Sequence, residues 1–436
     1  MNRTDEMVLQ FREVLKETER FDTDDLQVYQ QKLLSPLLLH ARKHVAFYRE
    51  RLDAIFDGDE IDFSRWQEIP ILTREQANKE RLNLIAATVP PHLGSIEADE
   101  TSGTTGRPLR FFVNDLVEVA TLAMTDRLYR WWRFDGSKPM ANFVSPRMEL
   151  ANGEQTVTHG WRSGFLDGLN ILRKASGDID AHIDWLRKVR PAYLGSQARM
   201  LRPLAERTQE RGVKLHFEGI ISRGSTLDRD VWPLCRKVFD AQLIDQYGAN
   251  EIGQIACQCP HCKAYHINSE AVLVEILGPD DAPVAPGKIG RVVLTSLYNY
   301  AMPFIRYEIG DNAQVYDGAS DCSIALPRLA RIMGRYRNNF RLRDGRIIFP
   351  HPPMSGFREF FTYLQMQIVQ TDYEQLEVRY VPAEDNDSVD EAGLERWLCK
   401  ELGAEFKVRL VEVDKITASP SGKFEDYLSL VERPRQ

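Results

Sequence analysis

The sequence predicts an α/β fold: a large N-terminal α/β domain with a β-rich subdomain, followed by a small, mobile α+β lid domain at the C-terminus. Three observations predict it. Between Met140 and Tyr247, short apolar runs alternate with amphipathic stretches, the pattern of a sheet with helices on its faces. Residues 270–332 change to β-type runs joined by Pro/Gly-rich turns, notably Gly278-Pro279-Asp280-Asp281 and Ala285-Pro286-Gly287-Lys288. A very basic stretch after Gly334-Arg335 then sets off a last hundred residues in which strands and helices mix again. A length of 436 residues fits two or three domains. The expected divisions are a helical segment, 1–95, packed on the large domain; the large domain, 96–334; and the lid, 335–436.

The elements follow in order. Leu9, Phe11, Val14 and Leu15, then Leu33, Leu34, Leu37, Leu38 and Ala41, recur at helical spacing. Pro36 is expected to start or kink a helix. Thr73 reads as the N-cap of a helix after the loop Ile69-Pro70-Ile71-Leu72. Residues 108–113 read as a strand and Asp115–Phe134 as a helix. Strands are expected at Ala141–Val144, Ala192–Leu194, Gly219–Ser222 and Ala241–Gln246, with helices at His182–Val189, Arg199–Arg211 and Asp228–Phe239 between them. Ala271–Leu277, Gly290–Leu297 and Asn312–Tyr316 read as antiparallel strands. In the last hundred residues the candidates are strands at Met366–Gln370, Leu376–Val381 and Val408–Val413, and a helix at Glu391–Glu401.

Composition excludes several classes. Hydrophobic residues make up 43% and charged residues 28%, as in an ordinary globular chain. The net charge of −8 carries no basic stripe, which argues against nucleic-acid binding. Met1 to Glu19 lacks the apolar core of a signal peptide, and runs such as Leu37-Leu38-Leu39 are far too short to span a bilayer. Six cysteines are too sparse for a disulfide scaffold. A reducing, cytoplasmic compartment without membrane attachment is the expectation. Oligomeric state is not legible; a homodimer is the commonest soluble arrangement.

The most informative stretch is Thr101-Ser102-Gly103-Thr104-Thr105-Gly106-Arg107-Pro108. Glycines let the backbone approach a phosphate closely, successive N–H groups form an anion nest, and the hydroxyls add donors. It is not the Gly-x-x-x-x-Gly-Lys-Ser/Thr loop; in isolation it reads equally well as a polar turn. Tyr247-Gly248-Ala249-Asn250-Glu251 follows an expected strand. An acidic residue there suits Mg²⁺, which prefers hard oxygen ligands and substrate phosphates, and Tyr247 can stack on a base. Alone, Glu251 reads as a solvated strand end. Arg306-Tyr307-Glu308-Ile309-Gly310-Asp311 places Asp311 after a turn, where a carboxylate can bind ribose hydroxyls or simply close the turn. Gly334-Arg335 marks a plausible hinge, and Lys423, in Ser419-Pro420-Ser421-Gly422-Lys423-Phe424, is either a surface lysine or a point charge for an anionic transition state.

These five motifs, in this order, resemble the adenylate-forming superfamily of acyl-CoA synthetases and adenylation domains, and most of all the phenylacetate–CoA ligase family. His40 to Arg51, Ile69-Pro70-Ile71-Leu72-Thr73-Arg74 and Asn299-Tyr300-Ala301-Met302-Pro303-Phe304-Ile305-Arg306-Tyr307 are similar to further markers of that family, and the likeness covers roughly residues 30–430. The resemblance implies an AMP-forming ligase that activates a small, aryl carboxylic acid with ATP and transfers it to CoA. It implies Lys423, Glu251 and Thr104 as catalytic residues. It also implies a nucleotide site from Thr101, Ser102, Gly103, Thr105, Gly106, Arg223, Gly224, Ser225, Tyr247, Gly248, Asn250, Asp311 and Arg335, with Glu251 holding Mg²⁺; Arg223-Gly224-Ser225-Thr226 stands where the family lines both the adenine and the acyl pocket. It places Gly160-Trp161-Arg162-Ser163-Gly164-Phe165 and Tyr193-Leu194-Gly195-Ser196 around the acyl pocket, where aromatic walls favour an aryl acid, although residues such as Trp161 and Phe165 are more often core than substrate wall. Two departures stand out. Asn250 replaces the usual Ser or Thr, and Gly334-Arg335-Tyr336-Arg337-Asn338-Asn339 lacks the usual hinge aspartate. An amine or carrier-protein acceptor, or a nucleotide-binding relative without turnover, therefore stands beside CoA transfer.

Cys257-Gln258-Cys259-Pro260-His261-Cys262, followed by His266, concentrates three of the six cysteines in six residues. In a reducing compartment the spacing reads as a structural Zn²⁺ site of Cys257, Cys259, Cys262 and His266, with His261 as the spare, or else as free cysteines in a loop.

Overall fold

The two N-terminal helices, α1 (Arg3–Thr18) and α2 (Thr23–His44), bury one face each, with Asp22 capping α2 by accepting the Asp25 N–H. Pro36 lies inside α2 and does not start it; Ser35 Oγ donates to the Gln31 carbonyl one turn back. The computed structural model describes residues 3–100, 109–146, 148–161, 167–176, 178–318, 322–335, 340–348, 350, 352, 354–383, 389–416 and 426–431. Helix α3 (Arg74–Lys79) starts in a capping box, with Thr73 and Gln76 each accepting the other's backbone N–H. The antiparallel pair β1 (Ile96–Glu100) and β2 (Arg110–Asn114) brackets the glycine-rich stretch of the sequence and leads into α4 (Asp115–Trp131).

Alternation then produces β3 (Met140–Val144), β4 (Gln155–His159), β5 (Leu169–Lys174), α5 (Ile179–Val189), β6 (Tyr193–Gln197), α6 (Ala198–Glu210), β7 (Gly219–Arg223), α7 (Val231–Phe239) and β8 (Gln242–Ala249). The β-rich part supplies β9 (Gly253–Gln258), β10 (Tyr265–Ile267), β11 (Val272–Leu277), β12 (Ile289–Ser296), β13 (Tyr307–Val315) and β14 (Arg328–Arg335). The order across the sheet is β11-β12-β13-β14-β10-β9-β8-β7-β6-β3-β5-β4. Neighbours from β5 through β3, β6 and β7 to β8 are parallel, and the others antiparallel. Leu72–Thr73 pairs with β13 to complete thirteen strands. The two sequence patterns are thus one continuous sheet that changes from parallel to antiparallel at the β8–β9 hairpin.

Side chains alternate across the parallel strands. Met140, Tyr193, Ile221 and Ile244 pack with Leu128 and Tyr129 of α4 on one face. Ala141, Leu194, Ile220 and Leu243 pack with α5, α6 and α7 on the other. The antiparallel half shares its core with the N-terminal segment: Leu38, Tyr48 and Leu72 join Val292, Phe304 and Tyr307. Arg306 locks this junction from a left-handed φ of 47°. Its guanidinium, 1% exposed, donates to both Glu275 oxygens at 3.2 and 3.0 Å and to the Gln67 and Ile69 carbonyls at 2.8 and 2.7 Å.

The C-terminal strands form a separate mixed sheet. Its members are β15 (Tyr363–Asp372), β16 (Gln375–Pro382), β17 (Lys407–Glu412) and β18 (Tyr427–Ser429), in the order β17-β16-β15-β18. Helix α8 (Glu391–Leu402) covers it, packing Leu394 and Leu398 on Ile368, Val378 and Phe340. Arg358 reaches α6 through Glu206 at 2.9 Å. No helix among the described residues is long and apolar enough to cross a membrane.

Candidate active site

Glu251 sits in the tight turn between β8 and β9, where the Ile252 N–H donates to the Ala249 carbonyl. The turn needs its glycines: a Cβ on Gly248 would lie 2.8 Å from the Gly253 carbonyl, and Gly253 has φ +96° against Thr121. This delivers Glu251, a residue 3% exposed, to the wall of a cleft at the carboxyl ends of the parallel strands. Arg74, at the start of α3, donates to Glu251 Oε1 at 3.1 Å and to the Tyr307 hydroxyl at 3.2 Å. Tyr307 donates to the same Oε1 at 3.3 Å. Burial, followed by the Glu251 charge, raises the Tyr307 pKa, so this phenol stays a donor. Arg74 and Tyr307 are the site residues that sequence reasoning missed. Both lie inside quoted family markers, but nothing in the spacing brings residues 74, 251 and 307 together.

Tyr247, on β8, donates from its hydroxyl to Asp311 Oδ2 at 2.8 Å, and both residues line the cleft. Asp311 is not beyond a turn as expected. It lies within β13, which begins at Tyr307, and Gly310 at φ +91° supplies the local irregularity. Asp311 is in backbone register with Arg335, the last residue of β14. Gly224, at φ +84°, and the exposed Ser225 follow β7 at the rim, and Asn250 is exposed on the turn beside Glu251. Residues Thr101, Ser102, Gly103, Thr104, Thr105 and Gly106, together with Lys423, lie outside the described residues, as do Arg162 to Leu166.

Arg223 and Trp161 part company. Arg223, the last residue of β7, lines the cleft. Trp161 is 3% exposed and packs against Tyr129, Phe134 and Tyr193, with centroids 5.3, 6.3 and 5.3 Å away. Its indole N–H donates to the Lys138 carbonyl. Trp161 is a core residue. The cleft measures about 3210 Å³ among the described residues, several times a drug-sized pocket of roughly 300–1,000 Å³, enough for a nucleotide together with an acid and an acceptor.

The cysteine motif forms a cluster with one change of membership. The ligand atoms of Cys259, Cys262, His266 and Cys322 all lie within 4.8 Å of one another. Zinc–ligand bonds of ~2.3 Å to sulfur and ~2.0 Å to nitrogen give tetrahedral edges of about 3.5–3.8 Å. The Cys259–Cys322 sulfur separation is 3.6 Å, and His266 Nε2 lies 3.7 Å from Cys262 Sγ and 3.4 Å from Cys322 Sγ. His266 Nδ1–H donates to the Leu326 carbonyl at 2.9 Å, which fixes the tautomer whose Nε2 lone pair faces the sulfurs. Burial holds this imidazole neutral by lowering its pKa to about 4. His261 is exposed and gives only its backbone N–H, to Cys259 Sγ at 3.4 Å. Cys257 is not a ligand candidate. Two residues of extended strand separate it from Cys259 by about 7 Å, and its thiol is buried 4.0 Å from Asn268 Oδ1. Cys322, sixty residues on, carried no local spacing signal.

No protein-family profile matches the chain. A phenylacetate-coenzyme A ligase of Thermus thermophilus is 25% identical over 338 residues, covering 73% of this chain and 72% of the relative. One from Escherichia coli is 24% identical over 348 residues, covering 76% of each. The crystal structure of 2-hydroxyisobutyryl-CoA ligase in the postadenylation state, in complex with 2-HIB-AMP, superposes with a TM-score of 0.74 at 17% identity, covering 96% of this chain and 92% of that one. The chain has the fold of the adenylate-forming acyl-CoA ligases, and its sequence is similar to phenylacetate–CoA ligases over about three quarters of its length.

Proposed function

We propose that the protein is an ATP-dependent, AMP-forming ligase that activates a small carboxylic acid as its acyl-adenylate and transfers the acyl group to CoA. The observation that carries this is the convergence of Glu251 and the Tyr247–Asp311 pair on one cleft at the carboxyl ends of the parallel strands, where open sheets bind ligands. The similarity to phenylacetate–CoA ligases supports the same reading. In the first half-reaction a carboxylate oxygen attacks the α-phosphorus and pyrophosphate leaves; in the second, the thiol attacks the acyl carbon and AMP leaves. Positioning and charge stabilisation carry the chemistry. Asp311 accepts from the ribose hydroxyls, Tyr247 flanks the base, and Glu251 would hold Mg²⁺ against the phosphates. We assign the phosphate loop to 101–108 and the adenylation lysine to Lys423. Residues 335–436 serve as the lid that turns about Arg335 between the two half-reactions.

Acid-dependent pyrophosphate release from Mg·ATP is the test, run with and without CoA. Lys423→Ala is expected to lower it about a hundredfold or more. Release that is dependent on acid but indifferent to CoA would replace CoA by another acceptor, and no release with any acid would leave a nucleotide-binding protein without turnover.

We assign Cys259, Cys262, His266 and Cys322 as ligands of a structural Zn²⁺ ion that ties the β9–β10 turn to the segment before β14. All four positions are filled by protein, so the metal does no chemistry. Elemental analysis is expected to find about one zinc per chain. Cys322→Ser should lose it and lower the thermal midpoint, whereas Cys257→Ser should retain it; the opposite pattern would restore Cys257 to the ligand set.

A further inference from the structure

We infer that the acid activated here carries a second anionic group, a carboxylate at the far end of its tail, and that Arg223 selects it. The inference rests on the reading that this cleft holds the acid being activated.

The face of the parallel sheet toward α4 is apolar at its base and polar at its carboxyl end. Met140, Tyr193, Ile221 and Ile244 pack under α4. One pleat further along the same strands, on the same face, come Asn142, Gly195, Arg223 and Gln246. Asn170 is the register partner of Met140 on β5. Asn142, Asn170, Arg223 and Gln246 all line the cleft. Arg223 donates to Asn142 Oδ1 at 2.8 Å, and Asn142 Nδ2 donates to Asn170 Oδ1 at 2.9 Å. This relay fixes the Asn142 amide with its oxygen toward the guanidinium. Gly195, on the central strand β6, makes the room: a Cβ there would lie 2.0 Å from Asn142 Oδ1 and 3.2 Å from an Arg223 nitrogen.

A second observation points to a ligand. Gln246 is 7% exposed, lines the same cleft, and its Nε2 has no hydrogen-bond partner among the described residues. A buried donor left unpaired costs about 1–3 kcal/mol, so an acceptor is due in front of it. A guanidinium and an amide N–H beside each other ask for a group that accepts from both. A carboxylate does so with charge, and Arg matches it with a planar fork. Three aromatic residues of this region are engaged with one another: Phe134 and Tyr193 stack at 4.2 Å, and Trp161 meets both edge-on.

A site built to hydrogen-bond one group discriminates strongly against analogues lacking it. The test compares kcat/KM for pyrophosphate release between matched acids: benzene dicarboxylates and C4–C6 aliphatic dicarboxylates against the corresponding monocarboxylates. In the wild type the diacid is expected to be favoured by about a hundredfold or more. Arg223→Ala should reduce that ratio to near one, chiefly through KM for the diacid, and Arg223→Lys should recover part of it. Equal use of monoacids and diacids by the wild type, or a ratio unmoved in Arg223→Ala, overturns the inference. Calorimetric binding of the same acids separates the two readings if no acid gives turnover. Diacid binding that is lost in Arg223→Ala upholds the selectivity while the ligase reading fails; binding of neither class overturns the selectivity as well.

Discussion

Arg306→Ala is expected to destabilise the protein by about 3–5 kcal/mol, the cost of breaking a buried ion pair from one side. The truncation strands three groups at once. Glu275 keeps its charge and loses both guanidinium contacts, and among the described residues the Trp66 indole N–H at 3.1 Å is the side-chain donor left to it. The Gln67 and Ile69 carbonyls lose their donor. The methylene stem also leaves a cavity beside Leu72 and Tyr307. Urea denaturation followed by tryptophan fluorescence reads the effect as a large fall in midpoint. Arg306→Lys should recover only a fraction, because an ammonium cannot span Glu275 and two carbonyls in one plane. A midpoint within error of wild type for Arg306→Ala would mean that the N-terminal segment is held by apolar packing alone.

Glu251→Gln is expected to lower kcat for acid-dependent pyrophosphate release by about 10²–10³, the scale of losing one preorganised electrostatic contact to a transition state. The amide keeps an oxygen to accept from Arg74 and Tyr307, so the turn should hold and the circular dichroism should not change. What it loses is the negative charge. The concentration of Mg²⁺ needed for half-maximal rate should therefore rise. A variant with unaltered Mg²⁺ dependence and near-normal kcat would leave Glu251 as the structural partner of Arg74 and nothing more.

Much of the frame was legible because its signals are local. Strand–helix alternation announced β3, β6, β7 and β8, and Thr73 announced itself as a helix N-cap. The hairpin of β4 against β5 was not legible, since Gln155–His159 is polar and largely exposed. Nor was the continuity of β13, because Gly310-Asp311 has the composition of a turn; the strand carries it across a register shift on the β12 side, with Asp311 paired to Arg335 on β14. The site divides along the same line. Tyr247, Glu251 and Asp311 stand in contiguous motifs. Arg74, Tyr307 and Cys322 act across 177, 56 and 63 residues of chain, a distance at which residue type alone says nothing. Trp161, which the resemblance put beside the acyl pocket, took the core place that is the commoner one for such a residue.

The junction locked by Arg306 also has a consequence for synthesis on the ribosome. Tyr48 donates to the Pro303 carbonyl, 255 residues later in the chain, and Leu38, Tyr48 and Leu72 share one core with Val292, Leu294 and Tyr307 of the antiparallel strands. Helix α1 is covered earlier, by α4, but at about 5–20 residues per second the apolar faces of α2 and the segment that follows it wait roughly ten to fifty seconds before the antiparallel strands have emerged. During that interval their apolar faces are the natural clients of a holdase. The N-terminal segment is therefore first made and among the last to be finished, and the yield of folded protein in cells should be limited by how well those early helices are kept from each other.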